Sequence, residues 1–315
     1  MKNGFGKNLT LSQGKNSVSL QNQGDITGNI NIGLSFYEIQ NLFEELFSAK
    51  LPSLIENARS ESYRAIADFA FKFHEKLNST VDEVVSGRID EEMEKRFASS
   101  EVQSLISEMV NQVGTKNDIS LNEVLANLLI DKLSSNNDDY LINQAISYLK
   151  YLNKDQVFFL CFIKYLRGVP YVSVSYGNNQ FNSDILDVYQ IIRDNVDSLE
   201  SQADFTQKAK DIYKRYINNI SKFFMENISS PVNIDLLTLN NMVFSDKSYA
   251  MNTLQLLGNG LGVNDYNNEN IKTDFPDFIK FIEFMKIDVS KLDELIKPLT
   301  PFGECIAKNC NIKID

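Results

Sequence analysis

Apolar and polar residues follow two different patterns along the chain, and the change falls at Gly33. Before it, apolar residues recur at every second position within short units bounded by glycine, which places them on one face of a strand. From Leu34 onward they recur every three or four positions, as in an amphipathic helix. The pattern predicts a mainly α-helical, multi-helix body behind a short β segment at residues 1–33.

The β segment contains three strand-turn units, and its Gly and Asn residues suit tight turns. The units resemble rungs of a β-solenoid. Three rungs bury too little apolar surface to fold alone, so we expect residues 7–33 to pair with the same segment of other chains, as a closed oligomer or an open β stack. The alternative is a flexible low-complexity tail. The predicted oligomerisation residues are Leu9, Leu11, Val18, Leu20, Ile26, Ile30 and Ile32.

The helical body divides into three predicted parts, residues 34–168, 169–232 and 233–315. Ser35 and Glu38 form a capping-box pattern, and Pro52 suits a helix start. A helical pattern continues from Leu54 to Val84. Residues 171–176 alternate like a strand. Further amphipathic helices are predicted at about 99–113, 120–134, 138–151, 153–167, 183–200 and 204–227.

Composition and charge limit the classes of function. Hydrophobic residues make up 43% of the chain and charged residues 23%, as in folded globular proteins. The longest apolar run, Val157–Ile163, is far shorter than a membrane helix and predicts a buried helix instead. The first residues lack an apolar signal-peptide region, and the cysteines form no disulfide framework, so we expect a cytoplasmic protein. A net charge of −11 argues against nonspecific nucleic-acid binding.

Several stretches of the body together resemble a family of bacterial proteins of unassigned function, known only by Legionella and Veillonella locus tags. They are Arg96–Ser99, Leu121–Lys132, Leu152–Gln156 with Phe158–Leu160, and Leu299–Ala307, behind a Gly/Asn-rich segment. The resemblance implies a bacterial cytosolic protein with a helical body and assigns no residue a role. The β segment is similar in composition to homotypic assembly tags of bacterial and fungal immune proteins.

Candidate catalytic and metal-binding side chains are few. His74 is the only histidine, and no nucleophile is near it in sequence, so we expect a structural or surface role. Cys161 lies in an apolar run and is expected in the core. Cys305 and Cys310 lack the further ligands of a tetrahedral metal site. We therefore predict no catalytic, metal or cofactor-binding residues.

Two local motifs also favour structural interpretations. Gly258-Asn259-Gly260-Leu261-Gly262 follows a helical pattern instead of a strand, so it predicts a helix end and a turn rather than a phosphate loop. The acidic run Asp90–Glu94 predicts a solvated helix face, and Asp138-Asp139 a helix N-cap.

Residues 233–315 resemble a winged-helix subdomain, because Leu299-Thr300-Pro301-Phe302-Gly303 looks like the end of a wing before a final helix. Between Asp246 and Leu257 there are one Lys and no Arg, although a helix that reads DNA bases needs such donors. A protein partner is therefore favoured over nucleic acid.

These patterns predict a non-enzymatic bacterial protein that self-assembles through its β segment. The helical body would sense or act, with antiviral defence or stress signalling as the expected setting. Two alternatives are a winged-helix regulator that binds nucleic acid and an enzyme of unrecognised type.

Overall fold

The computed structural model describes residues 36–48, 56–83, 93, 95–116, 121–134, 140–167, 202–245, 253–263, 266–292 and 296–310. The prediction of a mainly helical body is confirmed. Across these ranges, the β pairing is an isolated antiparallel bridge between Val243 and Leu299. The predicted β segment, the strand at 171–176, the helix at 183–200, Ser35, Pro52 and Asp138-Asp139 lie outside the described residues, as does most of the acidic run 90–94.

The described residues form two compact units. Unit 1 contains the chain up to Asn153 together with Asn309 and Cys310, and unit 2 contains Lys154–Lys308. The predicted parts 34–168, 169–232 and 233–315 follow other boundaries and stay predictions.

Unit 1 is a set of helices around a long central helix. Helix α2 packs against α1, α3 and α4, and α5 packs against α3 and α4. The ring of Phe43 on α1 stacks on Phe69 of α2 with centroids 5.0 Å apart. Helices α2 to α5 follow the predicted spans to within about three residues. Their bounds are α1 Phe36–Ser48, α2 Glu56–Glu83, α3 Ser100–Lys116, α4 Asn122–Ser134 and α5 Tyr140–Leu149.

Two basic side chains in unit 1 bind carbonyl groups at helix C-terminal ends. Arg96 donates from Nη1 to the carbonyl of Leu133 at 3.0 Å. Lys116 donates from Nζ to the carbonyls of Leu149 and Leu152. Carbonyl groups at a helix C-terminus lack partners within the helix and carry partial negative charge, so a cation there is stabilising. These contacts fix the ends of α4 and α5.

Unit 2 is built on an aromatic core. The apolar run Val157–Ile163 lies in the middle of α6 and is buried except for half-buried Phe158, which confirms the predicted buried helix. The ring of Phe162 lies 4.4 Å from that of Phe281 on α11 and 5.6 Å from that of Phe224 on α7, centroid to centroid. The helices are α6 Lys154–Arg167, α7 Gln202–Asn227, α8 Ile234–Leu239, α9 Thr253–Gly260, α10 Asn268–Asp274, α11 Pro276–Phe284 and α12 Pro301–Lys308, with a 3-10 turn at Val289–Lys291.

Three helices of unit 2 end in the same backbone motif. After α9, Val263 N–H donates to the Gly258 carbonyl at 2.8 Å and Gly262 N–H to the Asn259 carbonyl at 2.9 Å. Gly262 has φ +65°, the left-handed conformation that this Schellman motif requires. The predicted helix end and turn at the glycine-rich motif is confirmed.

The same pair of bonds closes α8 and α11, where Asn241 (φ 57°) and Lys286 (φ 58°) occupy the left-handed position. Asparagine tolerates this conformation better than most residues, whereas lysine gains nothing from it. Lys286 is therefore a locally strained residue.

The stretch that looked like the end of a wing has a different local role. Thr300 lies just before α12, and its Oγ1 accepts the Gly303 N–H at 3.2 Å and donates to the Asn241 carbonyl at 2.6 Å. Leu299 contributes the single bridge to Val243. No strand hairpin is present within residues 233–245, 253–263, 266–292 and 296–310, so the winged-helix subdomain gains no support.

Candidate functional site

The most highly coordinated carboxylate in the described residues is Asp155, near the start of α6. Its Oδ1 accepts the N–H and hydroxyl of Ser229, each at 3.0 Å. Its Oδ2 accepts the N–H of Ser230 at 3.0 Å and the Ser230 hydroxyl at 2.9 Å. The loop after α7 is therefore held against the first turn of α6.

The environment of Asp155 keeps the side chain ionised. Burial by itself raises the pKa of a carboxyl group, but the bonds from Ser229 and Ser230 outweigh burial, and the pKa of Asp155 is lowered. A carboxylate with a lowered pKa and two occupied oxygens is a poor general base. The arrangement suits a structural anchor.

A second polar cluster joins three helices of unit 1. Lys132 on α4 is 6% exposed, and its Nζ lies 2.8 Å from Oε1 of Glu101 on α3. Asn143 on α5 donates to the same oxygen at 2.8 Å. These two hydrogen bonds, first that from Lys132, lower the pKa of Glu101. Since a buried ammonium group is costly without a partner, the cluster keeps Lys132 compatible with a helix interface.

A third cluster lies beside the glycine-rich motif. Tyr266 donates to Oδ2 of Asp274 at 2.8 Å, and Lys214 binds Oδ1 at 2.7 Å. Burial, together with Asp274, raises the pKa of Tyr266, so its phenol stays protonated. A Cβ on Gly260 would lie 2.2 Å from the Tyr213 ring, which explains a glycine within α9.

The structure places the remaining candidate residues apart from these clusters. His74 is half-buried on α2. Cys161 lies in the core as predicted, with Sγ 3.9 Å from the Ala307 carbonyl. Cys305 is half-buried and Cys310 is buried. The oligomerisation residues Leu9, Leu11, Val18, Leu20, Ile26, Ile30 and Ile32 lie outside the described residues.

Two further features of the described residues concern metal ligands and membrane spans. In these residues, no group of three or more His, Cys, Asp and Glu side chains is placed to hold a metal ion. No helix in the same ranges is both long and apolar enough to cross a bilayer.

Sequence patterns did not identify the anchor at Asp155 or the cluster at Glu101. The first joins residues 74 and 75 positions apart, and the second residues 31 and 42 positions apart. A single sequence carries no local signal for such pairs. The only general expectation is that Asp155 and Lys132 need partners if the fold buries them, because an unpaired buried charge is costly.

Comparisons with known proteins give one positive finding. A protein-family model that carries no assigned activity matches residues 33–311. No curated protein and no solved structure matches the chain. The matched range includes every helix of units 1 and 2. The chain therefore belongs to this family, which takes its name from a Veillonella locus tag and has no assigned function.

Proposed function

We propose that this is a non-enzymatic bacterial protein that self-assembles through residues 7–33 and uses its helical body as a sensing or effector part. The observation that carries the proposal is the family match, which begins at residue 33. That position is where the Gly/Asn-rich pattern ends. The match thus supports a family body preceded by a separate segment of different chemistry.

The chemistry of the body is compatible with this division. The three polar clusters around Asp155, Glu101 and Asp274 each join neighbouring elements within one unit. Their charged groups are engaged in holding helices and loops in place. The sequence predicts that the alternating apolar residues of residues 7–33 are too few to bury one another, and association with another copy would bury them.

The cellular setting is part of the same proposal. We infer a role in the cytoplasm, in antiviral defence or stress signalling, where assembly of many copies converts a local event into a response. The support is the compositional similarity of the segment to assembly tags.

The first experiment compares the molar mass in solution of the full chain and of a chain lacking residues 1–33, by light scattering after size-exclusion chromatography. The full chain is expected to be an oligomer and the truncated chain a smaller species. An oligomer of unchanged size after truncation would overturn the proposal.

A second experiment separates the assembly face from the opposite face of the same strand. Val18→Asp with Leu20→Asp places two charges on the predicted apolar face, and Ser17→Asp with Ser19→Asp places two on the polar face. The first pair is expected to dissociate the oligomer and the second to preserve it, because like charges stacked between copies repel most where apolar residues pack. Equal effects of both pairs would contradict a one-sided assembly face.

A further inference from the structure

The last described residues form a clip on unit 1. Asn309 is 5% exposed, and its side chain donates to Oδ2 of Asp131 at 3.1 Å. Its carbonyl accepts from Nδ2 of Asn127 at 2.7 Å. Asn127 and Asp131 lie four residues apart on α4 and so share one face of that helix. Asn309 therefore binds two successive turns of α4, and Cys310 after it is buried.

The path of the chain gives this clip a special position. Unit 2 occupies Lys154–Lys308, so it is inserted between the main part of unit 1 and the clip. Within unit 2, α6 begins at the first of these residues and α12 ends at the last, and the two helices pack together. The folded unit 2 thereby holds its two chain ends on neighbouring helices.

We propose that the clip is a latch that couples the stability of unit 1 to the folding of unit 2. When unit 2 unfolds, Lys154–Lys308 becomes a flexible loop, and closing a loop of that length costs more entropy than a few hydrogen bonds return. The clip then opens, and α4 loses its contacts with Asn309. By thermodynamic linkage, the closed clip stabilises folded unit 2 by the same free energy by which folded unit 2 stabilises the closed clip. This coupling goes beyond self-assembly and does not depend on residues 7–33.

Hydrogen exchange of α4 amides in the full chain, followed by mass spectrometry, tests the latch with a double-variant cycle. The clip variant carries Asn127→Ala and Asn309→Ala, which removes the two side-chain amides that hold the clip. The unit 2 variant carries Phe162→Asp, which buries a charge in the aromatic core and unfolds that unit. Lys308→Ala, an exposed neighbour of the clip, is the matched control.

The clip variant and the unit 2 variant are each expected to speed exchange of α4 amides about tenfold, and the control is expected to leave it unchanged. Combining both variants should add nothing further, because either one alone already opens the clip. Wild-type exchange in the Phe162→Asp variant would overturn the latch. So would multiplied effects in the combined variant, since these would show coupling by another route.

Discussion

At the residue scale, Asp155 shows how one buried carboxylate fixes the course of the chain between two helices. Four donors from Ser229 and Ser230 surround its two oxygens. Both serines are exposed, so their bonds to the carboxylate are what tie this part of the loop to α6. An amide in this place would keep the shape but would turn one acceptor oxygen into a donor that faces other donors.

We predict that Asp155→Asn lowers the free energy of unfolding by about 2–3 kcal/mol, because it replaces charge-assisted bonds with mismatched ones. Urea denaturation at pH 7 measures the change. Glu283→Gln, at an exposed position of α11, is the matched control and should change stability by less than about 0.5 kcal/mol. A loss no larger than that of the control would contradict the anchor.

The same carboxylate predicts a pH dependence. Because the pKa of Asp155 is lowered in the folded protein, its contribution to stability is present above the unfolded value of about 3.9 and is lost as the pH falls through the folded value. Acid titration followed by circular dichroism should therefore show a shallower loss of stability below about pH 4 for Asp155→Asn than for the wild type. Parallel curves would argue against the lowered pKa.

At the element scale, the ends of the helices carry much of the specificity of unit 2. Helices α8, α9 and α11 close with the same bonds but with three different residues in the left-handed position, Asn241, Gly262 and Lys286. Only glycine adopts that conformation without a steric cost to Cβ. The three helix ends therefore allow the cost of the left-handed conformation to be compared between Asn, Gly and Lys in the same hydrogen-bonded motif.

Lys286→Gly is predicted to stabilise the protein by about 0.5–1 kcal/mol, since relief of left-handed strain exceeds the extra freedom of glycine in the unfolded chain. Gly262→Ala, where a Cβ would meet nothing within 4 Å, should destabilise by a similar amount through strain alone. Midpoints of urea unfolding measure both. Changes of the same sign would show that local strain does not control these ends.

Gly303→Ala is a case in which packing should reverse helix propensity. Alanine in a helix is normally more stable than glycine by about 1 kcal/mol. A Cβ at Gly303, however, would lie 2.1 Å from the carbonyl oxygen of Met242, a backbone atom that cannot rotate away. We expect a net loss of about 2–3 kcal/mol in thermal or urea unfolding. A gain would mean that α12 shifts freely against the backbone at Met242.

The sequence predicted elements well where one stretch of chain decides the outcome. The helices near Ser100–Lys116 and Lys154–Arg167 and the turn at Gly262 follow from periodicity and glycine alone. It missed the role of Thr300 and Gly303, because their partners Asn241 and Met242 lie about sixty positions earlier. The local sequence around Thr300 and Gly303 is compatible with both a hairpin wing and a helix cap. The contacts with distant residues determine which of the two forms.

At the scale of the whole molecule, the proposal assigns assembly to the N-terminal segment and requires that the helical body fold without it. We predict that a chain lacking residues 1–33 keeps the helical circular dichroism signal per residue in units 1 and 2, because the described helices begin at Phe36. Its thermal unfolding, measured at protein concentrations where both chains are monomers, should match the full chain. A collapse of helical signal would show that the segment is part of the body.

Truncation at the other end should behave differently. A chain that stops after Lys308 loses the bonds of Asn309 to Asn127 and Asp131 and the burial of Cys310. We expect unit 1 to lose about 2–4 kcal/mol of stability, visible as an earlier transition in urea. An unchanged transition would show that α4 does not need the clip.

Because unit 2 precedes Asn309 in the chain, the clip is among the last parts of the protein to be synthesised. Chains are made from the N-terminus at about 5–20 residues per second, so residue 309 follows residue 33 by roughly 14–55 s. During that interval the β segment has already left the ribosome, whereas unit 1 still lacks its last contact. Neighbouring ribosomes on one messenger would therefore hold several newly made N-terminal segments close together. Under the proposed self-assembly, first encounters between copies would then occur between nascent chains, before any body is finished.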